Sequence, residues 1–220
     1  FSSRRRHTIL TCDWSSDVCS SDLLSLLNSM EIGIEGLIII IVIFAILYFL
    51  YDYHENQGLT KVTSEVDNTE YVVQEKPDAK EAANLIAKIK ERLSLLVEHL
   101  SKTYGNDERI RMLKQNYRPD KLQEGKDTPG MTSYSVNKGE KIVFCLRDKN
   151  KLMDINTMMF VALHELAHLA TKSVGHDDEF WKNFEFILEE SINIGIYVRH
   201  DYAEDPVSYC GMEINSTPLD

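Results

Sequence analysis

The sequence predicts an α+β chain: one long apolar helix, then a small domain built from helices, a β-hairpin and two further helices. Three observations carry this. Leu37 to Tyr51 is unbroken apolar sequence. Leu85, Ile86, Ile89, Leu93, Leu96, Val97 and Leu100 recur at three- and four-residue spacing, one face of a helix. Two β-rich runs, "TSYSV" and "KIVFCLR", flank Asn137-Lys138-Gly139-Glu140, a hairpin signal.

The N-terminal residues stand apart from the rest. Cys12 to Leu23 reverse-translates into what reads as a common short-read sequencing adapter, and Ser2 to Thr8 resembles the flow-cell end of the same adapter. Ile9 departs from a verbatim match, which would place Arg there. Such scars are set aside before fold reasoning, so residues 1–29 are taken as an artefactual or disordered N-terminus, with Met30 as the expected start.

Residues 31–53 are expected to form a transmembrane helix. Ile32 to Tyr51 is about 20 residues, enough at about 1.5 Å each to cross a ~30 Å hydrocarbon layer. Glu35 lies near one end, and Tyr48, Tyr51 and Tyr53 gather at the other as an interfacial belt. No basic segment precedes the run and no small-residue cleavage site follows it, which speaks against a cleaved signal peptide. Acidic residues flank both ends and Lys61 is the nearest base on the C-terminal side, a balance that leans to a cytosolic C-terminal domain.

Residues 54–76 are polar and read as a linker ending at Pro77. Residues 77–220 are long enough for one domain with its own core. Pro77-Asp78 opens the first helix and Gly105 stops it; a shorter helix from Asp107 to Tyr117 ends before Pro119. After the hairpin, helices are expected over about 153–173 and 177–194.

Charge and cysteine content narrow the function classes. The net charge is −11, and it is the same without the N-terminal segment, which holds three Arg and three Asp. An acidic chain argues against a broad nucleic-acid footprint, which needs clustered Lys and Arg. Beyond the N-terminal segment only Cys145 and Cys210 remain. They have no CxxC spacing and are too few for a disulfide framework, so free buried thiols are favoured over a single bridge.

Chemistry concentrates in "FVALHELAHLATKSVGHDDEFW", Phe160 to Trp181. His164 and His168 lie four apart, so on a helix both imidazoles face one side and can reach one ion. Glu165 follows the first histidine, where a carboxylate can take a proton from water. Catalytic zinc usually has three protein ligands. His176, beyond the helix-breaking Gly175, is the natural third; Glu185 and Glu189 on the last helix are the alternatives. His54, His99 and His200 are isolated and expected at the surface.

"HELAHL…GHDDEFW" resembles the compact zincin metallopeptidases of the WLM, SprT-like and YgjP-like groups, most specifically across Phe160 to Phe184. The resemblance implies a zincin-like domain with Zn2+ held by His164, His168 and His176, and Glu165 as general base. It also implies a hairpin strand beside the active-site helix that can pair with an extended peptide. The expected function is therefore a membrane-anchored zinc peptidase whose partners are a protein or peptide substrate and the bilayer. The alternatives are a non-catalytic zinc-binding interaction domain at a membrane, or a protease acting on DNA-crosslinked proteins. The acidic balance and the anchor weigh against the last of these, and oligomeric state is left open. Tyr209 could stabilise an oxyanion, but a packed aromatic is the favoured reading.

Overall fold

A computed structural model describes residues 33–220, which fall into two compact units, one ending at Glu55 and one running from Asn56 to Asp220. The adapter-like segment and Met30 lie outside the described residues. In the first unit, helix α1 (Ile34–Asn56) carries Ile, Leu, Val and Phe around its whole circumference, and these side chains are exposed throughout. With no polar stripe and no buried face it is not a core helix, and Ile34–His54 is long and apolar enough to cross a membrane.

The second unit corrects the expected linker at residues 54–76. Strands β1 (Leu59–Thr63) and β2 (Glu70–Gln74) pair antiparallel as a hairpin. Tyr71 and Val73 alternate inward, and Val73 is fully buried in the core. The hairpin is also tied down by polar contacts. The buried Glu124 carboxylate accepts from the Gln74 N–H at 2.7 Å and pairs with Arg147, which reaches Asp78 at 2.7 Å. A segment that is mostly polar in composition is ordered because two alternate positions are apolar and its main chain has a charged partner.

Helix α2 (Ala79–Thr103) buries the face read from its periodicity, Leu85 through Leu100, and α3 (Glu108–Asn116) follows with Ile110 and Leu113 inward. After a short 3-10 turn at Pro119, three strands form one sheet in the order β3-β5-β4: β3 (Leu122–Glu124), β4 (Tyr134–Val136) and β5 (Lys141–Phe144). β4 runs antiparallel to β5 at the sheet edge, as the hairpin signal predicts. Gly139 is required in the connecting turn: its φ is +103°, and a Cβ there would sit 2.3 Å from the Asn116 carbonyl oxygen. Two small strands, β6 (Arg147–Asp148) and β7 (Lys151–Leu152), lead to the central helix.

That helix, α4 (Ile155–Ala170), is buried on nearly every face, from Thr157 to Ala170. Asp154 caps it by accepting from the Asn156 and Thr157 N–H groups at 2.9 and 3.0 Å. The helix stops before the expected residue 173. Thr171 turns to extended backbone, its hydroxyl donates back to the Ala167 carbonyl, and Asn183 donates to its oxygen from the next helix. Helix α5 (Asp178–Asn193) docks through Phe180, Phe184, Ile187 and Leu188. The chain ends in the hairpin of β8 (Val207–Tyr209) and β9 (Met212–Ile214).

The cysteines also correct the sequence expectation. Cys145, just after β5, and Cys210, at the β8–β9 turn, form a disulfide across 65 residues. Long-range pairing of this kind leaves no mark in sequence spacing.

Candidate metal centre

α4 projects His164 and His168 from one face, their ring centroids 5.0 Å apart. The third histidine arrives from the next loop. Gly175 takes a positive φ of 103°, which turns the chain back, and Asp177 caps α5 by accepting from the Phe180 N–H at 3.0 Å. His176, between these two fixed points, brings its Nε2 to 3.0 Å from that of His164 and 3.2 Å from that of His168. A tetrahedral ion with bonds of ~2.0–2.1 Å spaces its nitrogen donors about 3.3 Å apart; the two His176 separations are close to this and all three donor atoms lie within 4.8 Å of one another, a group that could hold a zinc ion. Glu185 and Glu189, the alternative third donors, are exposed and stand outside this group.

Protonation favours ligation. Burial pushes His164 down to about 3, with His168 and His176 adding to the effect. Burial likewise takes His168 down to about 4, helped by His176 and Lys138. Both are neutral near pH 7, the form that donates a lone pair to a metal.

Three neighbours hold the arrangement. The Phe180 ring lies 4.9, 4.4 and 4.6 Å from the rings of His164, His168 and His176, which restricts all three imidazoles. Lys138, in the β4–β5 turn, donates from Nζ to the carbonyls of Thr171, Lys172 and Ser173, the loop that carries His176. Asn183 ties the end of α4 to α5 through Ala170 and Thr171. None of these roles was visible in sequence, because each depends on a contact between separate elements.

Glu165 lies on the β4 side of α4, 4% exposed. Burial pushes its carboxyl up to about 7, against hydrogen bonds from the Ser135 side chain and main chain that pull it down. The histidines and Glu165 line one cavity of about 850 Å³, whose walls include β4 residues such as Ser135 and the C-terminal residues Tyr209 and Met212. Tyr209 is buried in the core, the packed aromatic that was expected, and it also lines this cavity. The other described histidines are elsewhere: His54 is exposed, while His99 and His200 are half-buried, paired with Glu190 at 2.8 Å and the Asp205 carbonyl at 2.8 Å. His99 therefore departs from the isolated surface position expected of it.

Residues 65–205 match the WLM domain, which covers the second hairpin strand through the end of the metal centre. The chain belongs to the WLM family. An uncharacterised protein of Acanthamoeba polyphaga mimivirus is 35% identical over 192 residues, covering 84% of this chain and 97% of that protein. A second, of Invertebrate iridescent virus 6, is 28% identical over 161 residues, covering 70% of this chain and 85% of that protein. The crystal structure of Wss1 from Saccharomyces cerevisiae aligns with a TM-score of 0.43 at 25% identity, over 56% of this chain and 85% of that one. The WLM match ends before β8, so the hairpin carrying Tyr209 is additional to the matched domain.

Proposed function

We propose that this WLM-family chain is a membrane-tethered zinc peptidase. The observation that carries the proposal is the convergence of three histidine nitrogens beside a buried carboxylate in one cavity. When bound, zinc would supply Lewis-acid activation of water and of the scissile carbonyl. His164, His168 and His176 would hold it, three protein donors being the usual set of a catalytic rather than a structural site. Glu165, with a carboxyl near neutrality, is suited to take a proton from the attacking water and return it to the departing amine. Ser135 orients that carboxylate from β4, the edge strand along which an extended peptide would lie. Trp181 and Met212, partly exposed on the cavity walls, favour apolar substrate side chains.

The anchor is α1, by its length and its uniformly apolar surface. The Cys145–Cys210 bridge favours a domain on the side of the membrane where disulfides persist, against the direction of the flanking charges.

Metal analysis beside hydrolysis of an unstructured protein substrate tests the catalytic reading. Glu165→Gln is expected to keep stoichiometric zinc and lose at least about 1,000-fold in kcat, within the range of lost general base catalysis. His176→Ala is expected to lose both zinc and activity. A Glu165→Gln protein that still hydrolyses its substrate, or a His176→Ala protein with full zinc, refutes the proposal.

A further inference from the structure

β8 and β9 lie beyond the residues that match the family, yet Tyr209, Met212 and Ile214 line the same cavity as His164, Glu165 and His168. Tyr209 is only 3% exposed, so its hydroxyl must be satisfied within the protein or by whatever fills the cavity. It is hydrogen-bonded to the Ser133 hydroxyl. Ser133 Oγ also accepts from the Cys145 N–H at 3.0 Å. Each hydroxyl has one proton to give, and in the Ser133–Tyr209 contact either oxygen can donate it. When Ser133 donates in this contact, the phenolic proton is left for another acceptor. Tyr209 and Glu165 line the same cavity, and the Glu165 charge acts on the phenol.

A covalent tether holds the ring in place. Cys210 directly follows Tyr209 and is bridged to Cys145, whose own N–H anchors Ser133. A two-stranded hairpin with three residues per strand has little stability by itself, so its position depends on this tether.

We propose that Tyr209 is a further catalytic residue, donating a hydrogen bond to the carbonyl oxygen of a bound peptide as that oxygen gains negative charge, with the Cys145–Cys210 bridge as the latch that keeps it in reach. The inference rests on the peptidase reading. Preorganised donors of this kind stabilise the charge that develops in the transition state more than the ground state. Burial raises the phenol pKa far above its ordinary value, so Tyr209 remains a protonated donor.

The test uses the full chain in detergent, loaded with zinc, with a quenched-fluorescent peptide library and a phosphinic peptide that mimics the tetrahedral oxyanion. Tyr209→Phe is expected to keep its zinc and a KM within about twofold, while kcat falls about 100-fold and phosphinic-peptide affinity falls in parallel. Unchanged kcat, a loss confined to KM, or unchanged phosphinic affinity overturns the assignment. Reducing the disulfide with a phosphine is expected to lower kcat and phosphinic affinity in the wild type and to add nothing in Tyr209→Phe. Full activity in the reduced wild type overturns the latch. If the wild type cleaves no peptide, the peptidase reading fails by itself. Phosphinic affinities that still differ between wild type and Tyr209→Phe would then support the Tyr209 contact, and equal affinities would refute it.

Discussion

At the scale of single residues, the candidate metal centre divides into groups that would ligate and groups that hold them in place. His164 and His168 need only a helix to face the same way, whereas His176 depends on where a seven-residue connection puts it. Lys138 fixes that connection by drawing three carbonyls to one ammonium. Lys138→Met keeps the aliphatic stem but removes the donors, so the loop should loosen without unfolding the domain. Zinc affinity is expected to fall roughly tenfold, as for other groups that support metal ligands, and a competition titration against a chelator of known affinity would measure it. Equal affinity in the variant would mean that Gly175 and the α5 cap suffice to place His176. The clustering of His164, His168 and His176 was legible because their spacing carries mechanical meaning. The roles of Lys138 and Phe180 were not, since a lysine in a turn and a phenylalanine on an apolar face look ordinary until the partners are known.

Among the elements, the β1–β2 hairpin shows how a short segment escapes sequence reading. Its alternation is confined to Tyr71 and Val73, too few positions to outweigh the surrounding polar residues. Its turn is held by Asp67, whose carboxylate accepts from the Tyr71 hydroxyl at 2.7 Å, the Thr69 N–H at 3.1 Å and Lys90 at 3.2 Å. Burial acts to raise the Asp67 pKa, but these donors outweigh it and bring it down to about 2 from 3.8. A lowered folded-state pKa stabilises the fold above the unfolded value and loses that contribution as pH falls through the folded value. Asp67→Ala is therefore expected to cost roughly 2 kcal/mol at neutral pH, the scale of hydrogen bonds to a charged group. The gap from wild type should shrink as pH falls from about 4 towards 2, measured by denaturant midpoints across that range. A gap that persists undiminished at pH 2 would mean that packing, not the carboxylate, is what the variant removed.

For the whole molecule, the proposed anchor and the disulfide together bear on the side of a membrane that the second unit would face. A bridge spanning 65 residues should contribute roughly 4 kcal/mol if loop entropy dominates. That contribution is available only where thiols stay oxidised. When the chain is expressed into sealed microsomes, its C-terminal domain is expected to resist added protease until detergent is supplied, and to migrate faster on non-reducing gels. Digestion of the domain in intact vesicles, with both cysteines alkylatable before reduction, would instead put it on the cytosolic side.

The sequence alone determined the apolar helix, the order of helices and central hairpin, and the residues able to bind a metal, because each follows from periodicity or spacing within a continuous segment. The tertiary structure decided the rest: that Cys145 meets Cys210, that residues 59–74 join the core, that His176 rather than Glu185 or Glu189 completes the cluster, and that Tyr209 enters the cavity. Those outcomes depend on which distant segments share a surface once the apolar faces of α2, α4 and α5 are buried together, and no local pattern encodes that choice.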